Sequence, residues 1–111
     1  MDCIFCTIVE ENAATTIRWQ NEHWIAINDI HPKADTHVLL ISRKHIPSLA
    51  ETSDADDVLL ATTLPTVRAL AQEVGIVESG YRMVNNCGRG AGQMVDHLHF
   101  HVLSGGLRTD C

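Results

Sequence analysis

Apolar and polar positions fall into short blocks that predict a mixed fold. Residues 16–20 and 24–28 are β-prone runs, and Asn21-Glu22-His23 between them predicts a hairpin. Residues 29–35 are polar and contain Pro32, which predicts a loop. Residues 37–42 carry the apolar run Val38-Leu39-Leu40-Ile41 and predict a strand. A helix is expected from Ser53 or Asp54, because Asp54, Asp56 and Asp57 suit the positive end of a helix dipole. Leu60, Leu64, Val67, Ala71 and Val74 repeat at helical spacing and predict one apolar face. Pro65 should kink this helix and Gly75 should end it. Residues 81–85 predict a further strand, residues 86–92 a glycine-rich loop, and residues 94–103 the last strand. On that strand Val95, His97, His99 and His101 share one face, and Leu98, Phe100 and Val102 share the other. The sum is an α+β domain with a mainly antiparallel sheet.

Composition narrows the function classes. A length of 111 residues suits one domain, and 45% hydrophobic content suits a packed core. Aromatic residues make up only 5%, so aliphatic side chains must build that core. The net charge of −6 argues against long nucleic acid, whose binding needs clustered Lys and Arg. A small phosphate ester remains compatible, since one pocket can be locally positive. No apolar run approaches the ~20 residues of a membrane span, and the first residues lack the pattern of a signal peptide. A cytoplasmic location without a membrane partner is the expectation. There, four cysteines read as thiols or metal ligands before disulfides.

The candidate chemistry lies in the run His97-Leu98-His99-Phe100-His101. Alternate strand residues are ~6.6 Å apart, so three such imidazoles would strain to share one ion. A division of labour is the better reading, with one imidazole attacking phosphorus and its neighbour binding or protonating. Cys3 and Cys6 form a C-x-x-C. A redox dithiol of that spacing normally follows a strand, and none fits before Cys3. A zinc half-site is therefore favoured over free thiols, with His45 and His97 as candidates to complete a structural Cys2His2 set. Cys87 and Cys111 have no visible partners and receive no role.

The residues His97-Leu98-His99-Phe100-His101-Val102-Leu103 match the motif His-φ-His-φ-His-φ-φ, with φ apolar. Supporting stretches are Cys3-Ile4-Phe5-Cys6, Asn28-Asp29-Ile30, Thr36-His37-Val38-Leu39, Lys44-His45-Ile46, Gly80-Tyr81-Arg82-Met83-Val84-Asn85 and Gly92-Gln93. On these the chain resembles the histidine triad (HIT) family over nearly its full length, and its Hint-like branch in particular. The resemblance implies a HIT-like fold: a five-stranded, mainly antiparallel sheet, one long helix and a short helix. It also implies a homodimer with the long helix and a strand at the interface. The implied activity is that of a purine nucleotide phosphoramidase, acting on a nucleotide or nucleotide conjugate through a nucleotidyl-histidine.

The resemblance also implies roles. His99 would be the nucleophile, His101 would hold the phosphate and exchange a proton, and His37 would support the array. Asp29 would accept from the ribose hydroxyls; Ile4, Phe5, Ile8, Ile27 and Ile30 would sandwich the base. Asn86 and Gln93 would bind near the phosphate and the leaving group. Cys3, Cys6, His45 and His97 would bind zinc, and no catalytic metal is required. Asp29 also fits a turn cap, Gln93 a loop hydrogen-bonder, and Arg89 a solvated loop residue. Three departures stand out: Met94 replaces a hydroxyl residue that contacts the leaving group, Asp96 replaces an aromatic residue, and the stretch after Leu103 is short. The rival activities are a dinucleoside polyphosphate hydrolase and a zinc-stabilised nucleotide-binding module with little turnover.

Overall fold

The computed structural model describes residues 3–107. Cys111 therefore lies outside the described residues. The chain enters through helix α1 (Ile4–Glu11), whose first turn holds the C-x-x-C. Cys3 caps it, its sulfur accepting from the Cys6 N–H at 3.3 Å. Asn12 ends it in the left-handed conformation at φ 47°, which asparagine tolerates better than most residues. This is the short helix that the resemblance implied.

Strands β1 (Ile17–Gln20) and β2 (Trp24–Asn28) form the expected hairpin. Asn21 holds its turn: Oδ1 accepts from the N–H groups of His23 and Trp24 at 3.1 and 2.9 Å. Strand β3 (Thr36–Ser42) follows, then β4 (Arg82–Val84) and β5 (His99–Ser104). The sheet has the order β1-β2-β3-β5-β4, and its pairings are antiparallel.

The last strand starts at His99, not at residue 94. Its ladder with β3 runs from Thr36↔Ser104 to Ile41↔His99, and β3 ends one residue later at Ser42. Before that pair the ladder gives way to bonds with the end of β3 and the stretch after it: Ser42 N–H donates to the Leu98 carbonyl at 3.2 Å, and Leu98 N–H to the Ile46 carbonyl at 2.7 Å. The alternation survives this change. Leu98, Phe100 and Val102 are buried on the face that packs against the helices.

The long helical stretch is Asp54–Asp56 as a 3-10 turn, α2 (Asp57–Ala61) and α3 (Thr63–Val74). Ser53 opens it with a capping box closed by Asp56. The break falls at Thr62, three residues before the proline. This places Pro65 in the first turn of α3, where its missing N–H is not needed. Gly75 ends α3 at φ 75°, as expected.

One position of the expected helix face is corrected. Leu64 is 66% exposed, whereas Leu59, Thr63, Thr66, Val67, Leu70 and Ala71 are buried. The threonines explain the rotation. Asn21 Nδ2 donates to Thr66 Oγ1 at 3.0 Å, and Trp24 Nε1 donates to Thr62 Oγ1 at 2.9 Å. These bonds turn the hydroxyl side toward the hairpin and roll Leu64 outward.

Two apolar layers result. Trp24, Ala26, Val38, Leu40, Phe100 and Val102 face α2 and α3. Ile25, Ile27, Leu39 and Ile41 face α1, with Cys3 and Phe5 packed on them. The register sets Ile27, Leu39, His101 and Val84 in one row across the sheet, and Ile25, Ile41 and His99 in the next. The histidines thus lie on the α1 side, where the helix leaves part of the sheet open.

Candidate functional site

Two clusters divide the histidines, and the first is a set of soft donors. Cys3 Sγ lies 3.3 Å from His97 Nδ1, and Cys6 Sγ lies 3.1 Å from His45 Nδ1 and 3.5 Å from His97 Nδ1. The two Nδ1 atoms are 3.1 Å apart. His97 Nε2–H donates to the Ser42 carbonyl at 2.7 Å, so its Nδ1 carries a lone pair into the cluster. Bonds of ~2.0–2.1 Å to nitrogen and ~2.3 Å to sulfur give a tetrahedron with edges of roughly 3.3–3.8 Å. The four residues match such a site in donor type and, within a few tenths of an ångström, in size. Burial pushes the Cys6 thiol up to about 11, and the neighbouring Cys3 adds to the shift. Burial likewise lowers His97, which keeps it neutral as a ligand must be.

The second cluster lines a cleft of ≈ 410 Å³ with Asp29, Lys33, His37, Val84, Asn86, His101 and Leu103. The Lys33 backbone N–H donates to His37 Nδ1 at 3.0 Å. Neutral His37 must then carry its proton on Nε2, which donates to His101 Nδ1 at 2.8 Å. His101 in turn keeps its own proton on Nε2. Burial, with a smaller contribution from charge on His99 and His37, drives His101 down to about 4. Burial also lowers His37, against the attraction of Asp29 at 3.4 Å. Both rings are neutral at pH 7. Asp29, His37 and His101 lie close enough to share an ion, yet the Lys33 N–H opposes this. It occupies the Nδ1 lone pair and so forces a proton onto the Nε2 that would ligate.

His99 stands between the clusters. Its Nδ1–H donates to the His97 carbonyl at 2.7 Å, which leaves Nε2 with a free lone pair. Its ring centroid lies 5.3 Å from that of His101 and 5.1 Å from that of Phe5. Asn85, which received no role from the sequence, donates from Nδ2 to the His99 carbonyl at 2.8 Å. Its sequence signal was its place at the end of the matching stretch Gly80-Tyr81-Arg82-Met83-Val84-Asn85.

The other expected site residues divide. Asn86 and Asp29 line the cleft. Asp29 also caps a turn, its Oδ1 accepting from the His31 N–H at 2.7 Å. Phe5, Ile8 and Ile27 belong to the apolar layer under α1. Ile4 and Ile30 are 61% and 85% exposed, and neither lines the cleft. Gln93 is buried away from the cleft, with three hydrogen bonds on its amide. Nε2 donates to Pro47 O at 2.8 Å and Val95 O at 2.9 Å, and Oε1 accepts from Gly88 N–H at 2.8 Å. It is a loop strut. Arg89 donates to the Gln93 carbonyl and pairs with Asp96 at 2.9 Å, which braces the same loop. Met94 is 84% exposed.

Fold and site define an α+β protein with a row of buried imidazoles above a cleft and a Cys/His cluster beside it. The HIT domain model matches residues 10–106, and the chain belongs to the HIT-domain family. It carries the family's histidine triad at His97, His99 and His101. Cys3 and Cys6 lie before the matched segment. An uncharacterized HIT-like protein of Chlamydia trachomatis is 40% identical over 107 residues, covering 96% of each chain. The purine nucleoside phosphoramidase of Escherichia coli K12 is 34% identical over 104 residues, covering 94% of this chain and 87% of that one. A histidine triad protein from Clostridium difficile superposes with a TM-score of 0.88 at 34% identity, over 100% of this chain and 96% of that one. Among the described residues no helix is long and apolar enough to cross a membrane.

Proposed function

We propose that this chain is a single-domain nucleotide hydrolase or transferase of the Hint-like branch, acting on the α-phosphate of purine nucleotides. Nucleoside phosphoramidates are its first substrate class. One observation carries the reading: the hydrogen-bond polarity of the histidines. His99 commits its only N–H to the His97 carbonyl, so Nε2 is free to attack phosphorus. His101 accepts at Nδ1 from His37, so its Nε2–H is left to serve a phosphoryl oxygen or the leaving group. The named phosphoramidase among the relatives supports the same reading.

The steps follow from this polarity. A bound phosphate raises the proton affinity of the adjacent His101, which takes up a proton as substrate binds and so becomes the imidazolium that can act as an acid. His99 Nε2 bonds to phosphorus as the bond to the leaving nitrogen breaks, and that nitrogen takes a proton from His101. Water then attacks phosphorus, returns a proton to His101 and frees His99. The cationic nucleotidyl-imidazole is stabilised through its Nδ1–H by the His97 carbonyl. Asp29 binds the ribose and Asn86 the phosphate side, with the α1 layer of Phe5, Ile8 and Ile27 toward the base. Cys3, Cys6, His45 and His97 would hold a structural zinc, which supplies a cross-link between α1 and the end of the sheet. A cytosolic setting suits these reduced thiols. A homodimer would cover Val58 and Leu64, 74% and 66% exposed on the helices, together with an edge strand of the sheet.

One observation favours a second reading, the dinucleoside polyphosphate hydrolase. Lys33 is the cation lining the cleft, and it would complement a second phosphate. The test is to assay adenosine phosphoramidate and a diadenosine polyphosphate side by side, with His99→Ala as control. Turnover of the phosphoramidate that His99→Ala reduces by on the order of 10³-fold or more is expected. Nucleotide binding with turnover of neither compound would leave a binding module instead. Full activity in His99→Ala would sink the mechanism.

A further inference from the structure

We infer that the Cys/His cluster positions the nucleophile, with Phe5 as the positioning residue that couples the two. The inference rests on the assignment of His99 as nucleophile, and it adds a role for the cluster beyond cross-linking. Two physical links join them. The first is the His97 residue itself. Its ring reaches Cys3 and Cys6 through Nδ1, and its carbonyl receives the His99 Nδ1–H at 2.7 Å. The Ser42 carbonyl holds the far side of the same ring at 2.7 Å, so the ring and the carbonyl beside it are fixed together.

The second link is Phe5, which lies between the two cysteines on α1. It is 6% exposed and meets both imidazoles edge to face. Its centroid is 5.9 Å from His97 and 5.1 Å from His99, each at an interplanar angle of 79°. Such T-shaped contacts are directional, so they fix ring orientation as well as distance. The α1 end that carries Phe5 is tied to the sheet through the cysteines. Cys3 and Cys6 approach His97, and Cys6 also approaches His45. Loosening the cluster therefore loosens Phe5 and the His97 carbonyl at once. Both are contacts that hold His99 in one tautomer and one rotamer.

The experiment compares zinc-loaded wild type, chelator-stripped wild type and zinc-loaded Phe5→Leu. Two readouts are taken: kcat and KM on adenosine phosphoramidate, and the ¹⁵N-resolved ring N–H signal of His99. Phe5→Leu should keep its zinc and its fold and lower kcat on the order of 10-fold, whatever it does to KM through the base layer. That loss is smaller than the 10²-fold a 1 Å misplacement can cause. Its His99 Nδ1–H signal should broaden or weaken, and stripping the metal should do the same. A sharp, unshifted His99 signal in both samples would overturn the coupling. So would a Phe5→Leu effect confined to KM. If wild type turns over no nucleotide, the proposed activity fails, yet the ring signal still decides the coupling.

Discussion

Three neighbouring imidazoles have different jobs because each has a different hydrogen-bond neighbour. The Lys33 N–H sets His37, His37 sets His101, and the His97 carbonyl sets His99. This makes His37 testable as a relay. His37→Ala should lower kcat by roughly 10–100-fold, because His101 is then free to take the wrong tautomer. His37→Gln can still donate to His101 and should recover part of that loss. Equal losses in the two variants would count against the relay. Lys33→Gln separates substrate classes in the same way. It should reduce kcat/KM on a diadenosine polyphosphate severalfold more than on the phosphoramidate, and an equal effect would remove its role in specificity. At this scale the Cys/His cluster was legible. A C-x-x-C without a preceding strand called for two more donors, and the fold brings His45 and His97 to it. The bonding of Gln93 was not legible, because nothing local reveals that a loop will fold back and take three of its amide's four hydrogen-bonding positions.

Elements were legible where the periodic signal was long and uninterrupted. The hairpin, β3 and the glycine stop of α3 followed from local pattern. The helix break and the start of β5 did not, since both depend on a distant partner. β5 begins where its ladder with β3 does, at the His99↔Ile41 pair. The break at Thr62 is held from the hairpin by the wholly buried Trp24, whose Nε1–H has Thr62 Oγ1 as its acceptor. Thr62→Val should therefore destabilise the fold by about 1–3 kcal/mol, the usual cost of leaving a buried donor unpaired. Denaturant unfolding would measure it, and a loss under about 0.5 kcal/mol would show that the helix break stands without this bond. Leu70→Ala, by contrast, removes a side chain with no exposed surface from the helix layer. It should cost more, about 2–5 kcal/mol.

At the scale of the whole molecule, the sheet buries histidines that would otherwise titrate near neutrality, and this links stability to pH. Sequence pattern revealed which face these residues share but not how deeply α1 and the neighbouring strands cover them. His101 has its pKa lowered from 6.5 to about 4, chiefly by burial, and His37 and His97 are lowered for the same reason. A depressed histidine binds its proton in the unfolded chain first. Its contribution to stability is thus fully present above pH 6.5 and is lost as pH falls toward about 4. For His101 alone the loss across that window is about 3 kcal/mol. Asp56, lowered by its bond to Lys44, acts in a different range. Its contribution stays in place above its ordinary value of 3.8 and disappears only as pH falls through its lower folded value. Urea unfolding at pH 7 and pH 4.5 would measure the histidine part, with His101→Asn compared under the same metal conditions. Asparagine does not titrate, so this variant should lose distinctly less stability between the two pH values than wild type. Identical pH dependence in the two proteins would mean that His101 is protonated in the folded state at an ordinary pH, and that the neutral relay from Lys33 through His37 does not exist.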